Sequence, residues 1–229
     1  FFRPLFVLSY VLDALLWREN PFGYHLSNTL LHAASATLVY SLARRLLLKQ
    51  KVSSERAGGA ALFAGLLFLL HPSHTEAVSW IAGRADLLAT TLSLAAMLAF
   101  ISFMETRRIL SLILALLAFA LALLAKEAVA SLPLLLFALG LHFAHAGNRK
   151  LVLMEAFKMS APFFAILLLF IIVRRLVLGA WVGGYGAGQH LNFSPVWIES
   201  RFLQATLRAL VPALPHSLSS VFLKPLQSP

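Results

Sequence analysis

The chain has 229 residues, 60% of them hydrophobic and 12% charged, with a mean hydropathy of +0.83; a soluble domain carries about 25% charged residues. That excludes an ordinary soluble globular domain, and the net charge of +10 is then no mark of a nucleic-acid binder, because the basic residues sit mostly in short loops between apolar runs, where positive-inside topology and anionic lipid account for them. There is no cysteine, which excludes disulfides, thiolate metal sites and a thiol nucleophile.

The sequence starts at Phe1 and reaches its first methionine at Met97, so the expectation is an internal stretch of a longer protein. The apolar run from Leu5 to Trp17 is too short to cross a hydrocarbon core that needs roughly 20 helical residues. With its aromatics and the single Asp13, it reads as an interfacial helix within an outer-face segment, residues 1–26. Asn20-Pro21-Phe22-Gly23 reads as a turn that redirects the chain. Seven apolar stretches then read as spans, at about 27–48, 57–71, 87–104, 109–125, 128–146, 155–178 and 202–218. Backbone amides in lipid bond within their own segment, so the spans are helices. The fold class is all-α, a polytopic transmembrane bundle. It is expected as one partial membrane domain over 1–229: six spans within 27–178, an outer loop at 179–201, and a last span and tail at 202–229.

Charge orients the spans. Arg44, Arg45, Lys49, Lys51 and Arg56 follow the first, Arg107 and Arg108 the third, Arg149 and Lys150 the fifth, which predicts those three loops to be cytoplasmic. The outer face then collects Asp13, His25, His71, His74, Glu76, Arg84, Asp86, Lys126, Glu127, Arg174, Arg175 and Arg201. Ionisable groups at membrane depth have a partner or a task, and one shared polar cavity explains many at one depth. The Gly-rich stretch 181–195 lacks the lysine of a phosphate-binding loop and takes no nucleotide role. Asn192-Phe193-Ser194 within it fits an N-glycosylation acceptor, relevant only in a eukaryotic lumen.

The densest polar stretch is "HPSHTEAVSWIAGRADLL", residues 71–88. Pro72 ends one helix and Thr75 can cap another, so the stretch reads as a short outer helix or re-entrant elbow running into the third span. Glu76, Ser79 and Gly83 would share one helical face, and Trp80 and Arg84 another. Plainer readings stand beside the cavity. Arg84 and Glu76 can pair to tie the elbow down, Lys126 and Glu127 can be a helix-end pair, and Arg174 and Arg175 can snorkel to headgroups. His32, two turns from His25, reads as a buried hydrogen-bonding histidine. His71-x-x-His74-x-Glu76 has metal-ligand chemistry, but Pro72 breaks the helix that would align it, and no metal is expected. Histidine, arginine and lysine around an apolar groove instead suit a lipid phosphate.

The segments "RPL-x-x-LSY", "NPFGYHLSNTLLHA", "HPSHTEAVSWIAGRADLLA", "AKEAVASLPLL" and "RRLVLG" together resemble the membrane half of the transmembrane-and-tetratricopeptide-repeat protein O-mannosyltransferases and their bacterial relatives. These are glycosyltransferases of the GT-C superfamily. The resemblance implies a GT-C fold and inverting transfer of a sugar, usually mannose, from a polyprenyl-phosphate donor to a protein hydroxyl on the lumenal or periplasmic side. The family's acidic catalytic motif sits in an outer loop before the RPL segment, and a tetratricopeptide array usually follows the membrane part. Neither lies in this sequence, so the stretch reads as catalytically incomplete by itself.

Combined with the charge pattern, the resemblance assigns His71, His74, Glu76 and Arg84 to the cavity and Lys126 with Arg174 or Arg175 to the donor phosphate. Glu76 and Asp86 are the carboxylates available here as a base. The expected partners are membrane lipid, the dolichyl- or undecaprenyl-phosphate sugar and a protein acceptor, with no nucleic acid and no further cofactor. The compact loops suit a bacterial inner membrane; a eukaryotic source would place the protein in the endoplasmic reticulum. Two other classes remain open on the sequence: a transporter or flippase of lipid-linked sugars, although no inverted repeat is visible, and a non-catalytic membrane anchor for a repeat domain.

Overall fold

The computed structural model describes residues 2–143 and 148–179. Expectations for the seventh span, the tail, Arg201, Asn192 and residues 180–201, and for the last residues of the fifth span, lie outside them. The described part holds eight α-helices joined by short turns: α1 Pro4–Trp17, α2 Pro21–Lys49, α3 Ser54–Leu70, α4 Thr75–Ser79, α5 Arg84–Thr106, α6 Ile109–Ala125, α7 Leu132–Phe143 and α8 Arg149–Leu178. It contains no strand among the described residues.

Local chemistry sets the boundaries. Asn20 caps α2 by accepting from the Phe22 amide at 3.1 Å, with Pro21 in the first helical position. The Asn-Pro turn is therefore also the start of the helix, and α2 begins six residues before the 27–48 stretch. Asn148 caps α8 through the Lys150 amide at 2.9 Å, so that helix takes in Lys158 and the internal Pro162 and starts ahead of residue 155. The fifth stretch is split: Lys126 is extended, a 3-10 segment covers Glu127–Ser131, and α7 follows.

Ion pairs and ring contacts show how the long helices alternate. Arg45 near the end of α2 lies 3.6 Å from Glu105 near the end of α5. Arg107, just after α5, pairs with Glu155 in the first part of α8. Lys49 lies over the ring of Phe143, the last residue of α7. The ends of α2, α5 and α7 thus meet the start of α8 at one end of the bundle. At the other end the starts of α2, α5 and α7 meet the ends of α3, α6 and α8.

Between these ends the core is a column of Phe100, Phe119, Phe163, Ile101, Met104, Leu123 and Leu136, each no more than 1% exposed. The Phe100 and Phe163 rings meet edge-to-face at 5.5 Å. The outside is equally apolar. Phe63 and Leu67 on α3, Ile113 and Leu117 on α6, and Leu168, Leu169 and Ile172 on α8 are exposed. Water would make such a surface costly at roughly 25 cal/mol per Å², whereas lipid matches it, and the fold is an all-α membrane bundle.

Two helices are long and apolar enough to cross a bilayer, Ile81–Thr106 and Arg149–Leu178, and a third span forms if the pair Ser54–Leu70 and Pro72–Ser79, bent by 46°, counts as one. Seven full-length spans are not seen among the described residues. The helix α6 has 17 residues, and the apolar segment Glu127–Phe143 is equally short. Each reaches about 25 Å at 1.5 Å per residue, below the roughly 30 Å of a hydrocarbon core.

Candidate functional site: the elbow end of the bundle

Residues 71–83 form an elbow in three short pieces, and backbone sterics explain each break. Pro72 drives His71 out of the helical region, to φ −68° and ψ 127°. A 3-10 turn, Pro72–His74, leads into α4. Trp80 is extended, at φ −88° and ψ 119°, and a second 3-10 turn, Ile81–Gly83, runs into α5. The extended Trp80 corrects the single-face reading, because Glu76 and Ser79 lie on one helix and Gly83 beyond its end. Thr75 makes no cap; His71 does, accepting from the Ser73 amide at 3.2 Å. A Cβ on Gly83 would sit 2.5 Å from the Ala77 carbonyl oxygen and 2.7 Å from its Cα. Only glycine allows α4 to lie this close to the start of α5.

Arg84 is the hub behind the elbow. It is 1% exposed, the largest fully buried side chain among the described residues. Its NH1 lies 2.5 Å from Asp13 Oδ2 in an ion pair and donates to the Ser9 carbonyl at 3.3 Å. Its Nε donates to Asn28 Oδ1 at 2.8 Å, and its NH2 to the Tyr24 carbonyl at 2.9 Å. The guanidinium also lies 4.9 Å from the centre of the Tyr10 ring and 5.9 Å from that of Tyr24.

The partners are themselves held. Asp13, 5% exposed, takes a 2.8 Å hydrogen bond from Ser27 on its other oxygen. Asn28, fully buried, donates to the Trp80 carbonyl at 3.3 Å and lies 3.5 Å from those of Val78 and Ile81. Tyr10 donates to the Ile81 carbonyl at 2.7 Å. The Trp80 and Ile81 carbonyls, which already accept from the Gly83 and Arg84 amides, thus take a second hydrogen bond from side chains of α1 and α2. Arg84 pairs with Asp13, and no ion pair joins it to Glu76 among the described residues.

A cluster of rings sits beside the network. The His32 ring lies 5.4 Å from those of both Phe68 and His74, and His71 lies 5.9 Å from His74. The His32 Nε2 is 3.0 Å from the Leu69 carbonyl and so carries the hydrogen; its buried Nδ1 has no partner among the described residues. His32 is the buried hydrogen-bonding histidine that its position suggested. No group of three or more His, Asp or Glu side chains among the described residues is arranged to hold a metal.

The remaining charges lie at the same end. Lys126 pairs with Asp86, and both remain partly exposed, at 27% and 53%. Glu127 receives the Arg3 guanidinium on both oxygens, at 2.8 and 3.0 Å. That contact, with the charges of Arg3 and Arg174 adding to it, holds its carboxyl at about 2, well below the usual 4.5. Lys126 and Glu127 therefore do not form a helix-end pair with each other: Lys126 is extended and pairs with Asp86 on α5, and Glu127 pairs with Arg3 just before α1. Arg174 and Arg175 are half-buried in the last turns of α8. His25, His71 and Glu76 are exposed, and the Glu76 carboxylate has no ion pair or hydrogen bond among the described residues. No described hydrogen bond or ion pair joins His71 or His74 to Lys126.

Arg3, Tyr10, Tyr24, Ser27 and Asn28 are site residues that the sequence did not mark. The signal for Asp13 was present, as a lone carboxylate inside an apolar run. Asn28 had none, because an asparagine near a helix start is ordinary.

No family model matches the chain, and no solved structure matches it. Curated relatives do. Protein O-mannosyl-transferase Tmtc1 of Drosophila melanogaster is 44% identical over 125 residues, which is 55% of this chain and 14% of that protein. Protein O-mannosyl-transferase TMTC2 of Homo sapiens is 42% identical over 106 residues, 46% of this chain and 12% of the relative. Protein O-mannosyl-transferase TMTC3 of Mus musculus is 39% identical over 99 residues, 43% of this chain and 10% of the relative. The chain thus spans a small part of the length of the proteins it matches. At identities near 40% over about a hundred residues, this all-α membrane bundle is similar to proteins named protein O-mannosyl-transferases.

Proposed function

We propose that the chain is the donor-side membrane scaffold of a protein O-mannosyltransferase. The observation that carries this reading is the identity, near 40%, with proteins named for that activity. The proposed donor is a polyprenyl-phosphate mannose, dolichyl or undecaprenyl, and the acceptor a protein hydroxyl on the extracytoplasmic side. The elbow end supports the assignment, because it combines cations, an exposed carboxylate and apolar helix faces suited to a lipid tail. The opposite end carries Arg44, Arg45, Lys49, Lys51 and Arg56, which favours that end for the cytoplasm.

In the proposed step the acceptor oxygen attacks the anomeric carbon from the face opposite the lipid phosphate. The sugar–phosphate bond breaks, a sugar–oxygen bond forms, the hydroxyl proton passes to a carboxylate and the lipid phosphate leaves as an anion. Lys126, Arg174 and Arg175 offset the charge that develops on that phosphate. Lys126 reaches it by exchanging Asp86, an exchange that costs little for an exposed pair. His71, His74 and Glu76 line the acceptor side. Glu76 and Asp86 are the carboxylates of this stretch that could receive the acceptor proton, Glu76 being exposed and Asp86 released when Lys126 turns to the phosphate. No metal takes part in this reading.

The test uses the full-length protein in native membranes, supplied with labelled polyprenyl-phosphate mannose and a serine- and threonine-containing peptide. The unaltered protein is expected to label the peptide, and Lys126→Ala or Arg174→Ala to lower transfer by about tenfold or more at equal expression. Absence of transfer by the unaltered protein overturns the function. Unchanged transfer in both variants overturns the phosphate assignment.

A further inference from the structure

The cavity role that the sequence suggested for Arg84 conflicts with its surroundings. A guanidinium offers five donors; here Nε, NH1 and NH2 are all engaged, by Asn28, Ser9 with Asp13, and Tyr24. Its exposure is 1%. Turning it towards a phosphate would leave Asp13 as an uncompensated buried charge, and such losses cost more than a new surface contact returns.

The same group joins α1 and α2 to the start of α5. Ser9 and Asp13 belong to α1, Tyr24 and Asn28 to α2, and Arg84 itself opens α5. Asn28 and Tyr10, both against Arg84, hold the carbonyls of Trp80 and Ile81. Between these anchors and α3 the chain runs through His71, His74 and Glu76, where His74 lies against the rings of His32 and Phe68 and Glu76 is exposed. The Gly83 approach to Ala77 fixes α4 against the start of α5, but that fit is useful only if the start of α5 is itself fixed. Arginine suits the task because its planar fork serves several acceptors in one plane, whereas a lysine ammonium is a point charge.

We propose that Arg84 is a positioning residue: through its buried pair with Asp13 and its bond to Asn28 it locks the 71–83 elbow onto α1 and α2, and it acts on the chemistry only through that lock. The lock is a property of the fold, and its effect on turnover rests on the reading given under Proposed function. The exposed residues of the elbow are held in one geometry, and loosening the lock displaces them without removing a substrate contact. Displacement by about 1 Å is enough to cost up to a hundredfold in rate.

Two measurements on the full-length protein in membranes test this, and the first needs no activity. In a cysteine-free background, Ser79→Cys puts a thiol on the exposed last residue of α4. Its alkylation rate is expected to rise several-fold when Asp13→Asn, Arg84→Ala or Arg84→Lys is added. Arg45→Ala, at the opposite end, is expected to leave it unchanged. Asp13→Asn keeps the shape of the side chain and is the variant to rely on if Arg84→Ala does not fold. The second measurement is steady-state mannose transfer by Asp13→Asn at a temperature where it remains folded. The expected result is a kcat lower by about tenfold with a donor KM within about twofold of the unaltered protein.

Unchanged alkylation in Asp13→Asn and in Arg84→Lys overturns the lock. A rise in donor KM with kcat and alkylation unchanged makes Arg84 a donor ligand and also overturns it. If the unaltered protein transfers no mannose, the functional reading falls, and the alkylation result still decides the lock.

Discussion

At the elbow end the Arg84 and Asp13 side chains are 1% and 8% exposed, while at the opposite end Arg45 and Glu105 are 38% and 43% exposed. Both are arginine–carboxylate pairs on helix ends of the same bundle. The first is surrounded by five further polar partners on α1 and α2; the second adds contacts to Ser102 and the Leu98 carbonyl. Arg107 and Glu155, also at the opposite end, are again partly exposed. The comparison teaches that the number of charges says little about their task. Where the charge is wet the pair adds little to stability, because water already solvates both partners. Where it is dry it must be matched atom for atom, and it then fixes geometry.

The largest expected effect breaks the dry pair. Arg84→Ala or Asp13→Asn leaves one buried charge unmatched and should cost about 3–5 kcal/mol, while Arg45→Ala should cost below about 1 kcal/mol. Thermal unfolding of the full-length protein in one detergent compares them directly. Equal losses at the two ends would abolish the distinction.

A glycine pair sharpens the same contrast through packing. Gly83→Ala drives a methyl group into the Ala77 backbone at 2.5 Å, where Gly59→Ala on α3 meets nothing within 4 Å. The first should destabilise by about 1–3 kcal/mol, and the second should stabilise by about 0.5–1 kcal/mol through helix propensity. The same unfolding assay reads both, and a loss at position 59 would count against the open surroundings of that face.

The smallest effect is a pH dependence at Glu127. Its carboxyl lies below its ordinary value, at about 2 against 4.5 in the unfolded chain. The stability it contributes is therefore present in full above about pH 4.5 and is lost as the pH falls through about 2. The pair is partly solvated, so the change is modest. Stability measured between pH 5 and pH 2 should fall less steeply in Glu127→Gln than in the unaltered protein, and parallel curves would show that Arg3 does not favour the ionised form.

The helical class and most of the helix positions were legible because they depend on local quantities. Apolar run length, Pro and Asn at helix starts, and loop charge all act within a few residues. The elbow was legible for the same reason: Pro72 and the polar run around it interrupt two apolar stretches. Its internal shape was not, because the break at Trp80 is stabilised by Asn28 and Tyr10, which lie 52 and 71 residues away from their carbonyl partners at Trp80 and Ile81. Span number is a different matter: among the described residues two helices, or three counting the bent pair, are long and apolar enough to cross a bilayer, and the last expected span lies outside them.

The sequence by itself determined an all-α membrane chain and the likeness of its polar segments to protein O-mannosyltransferases. Only the tertiary structure decided what each polar residue does. A side chain's partner is set by which helices pack together, and an arginine that reads as a cavity residue in one dimension becomes, once α1 and α2 close over it, an internal tie. The physical reason is desolvation: a charge shielded from water takes its role from the few groups within 3 Å of it, and those groups are brought there by folding.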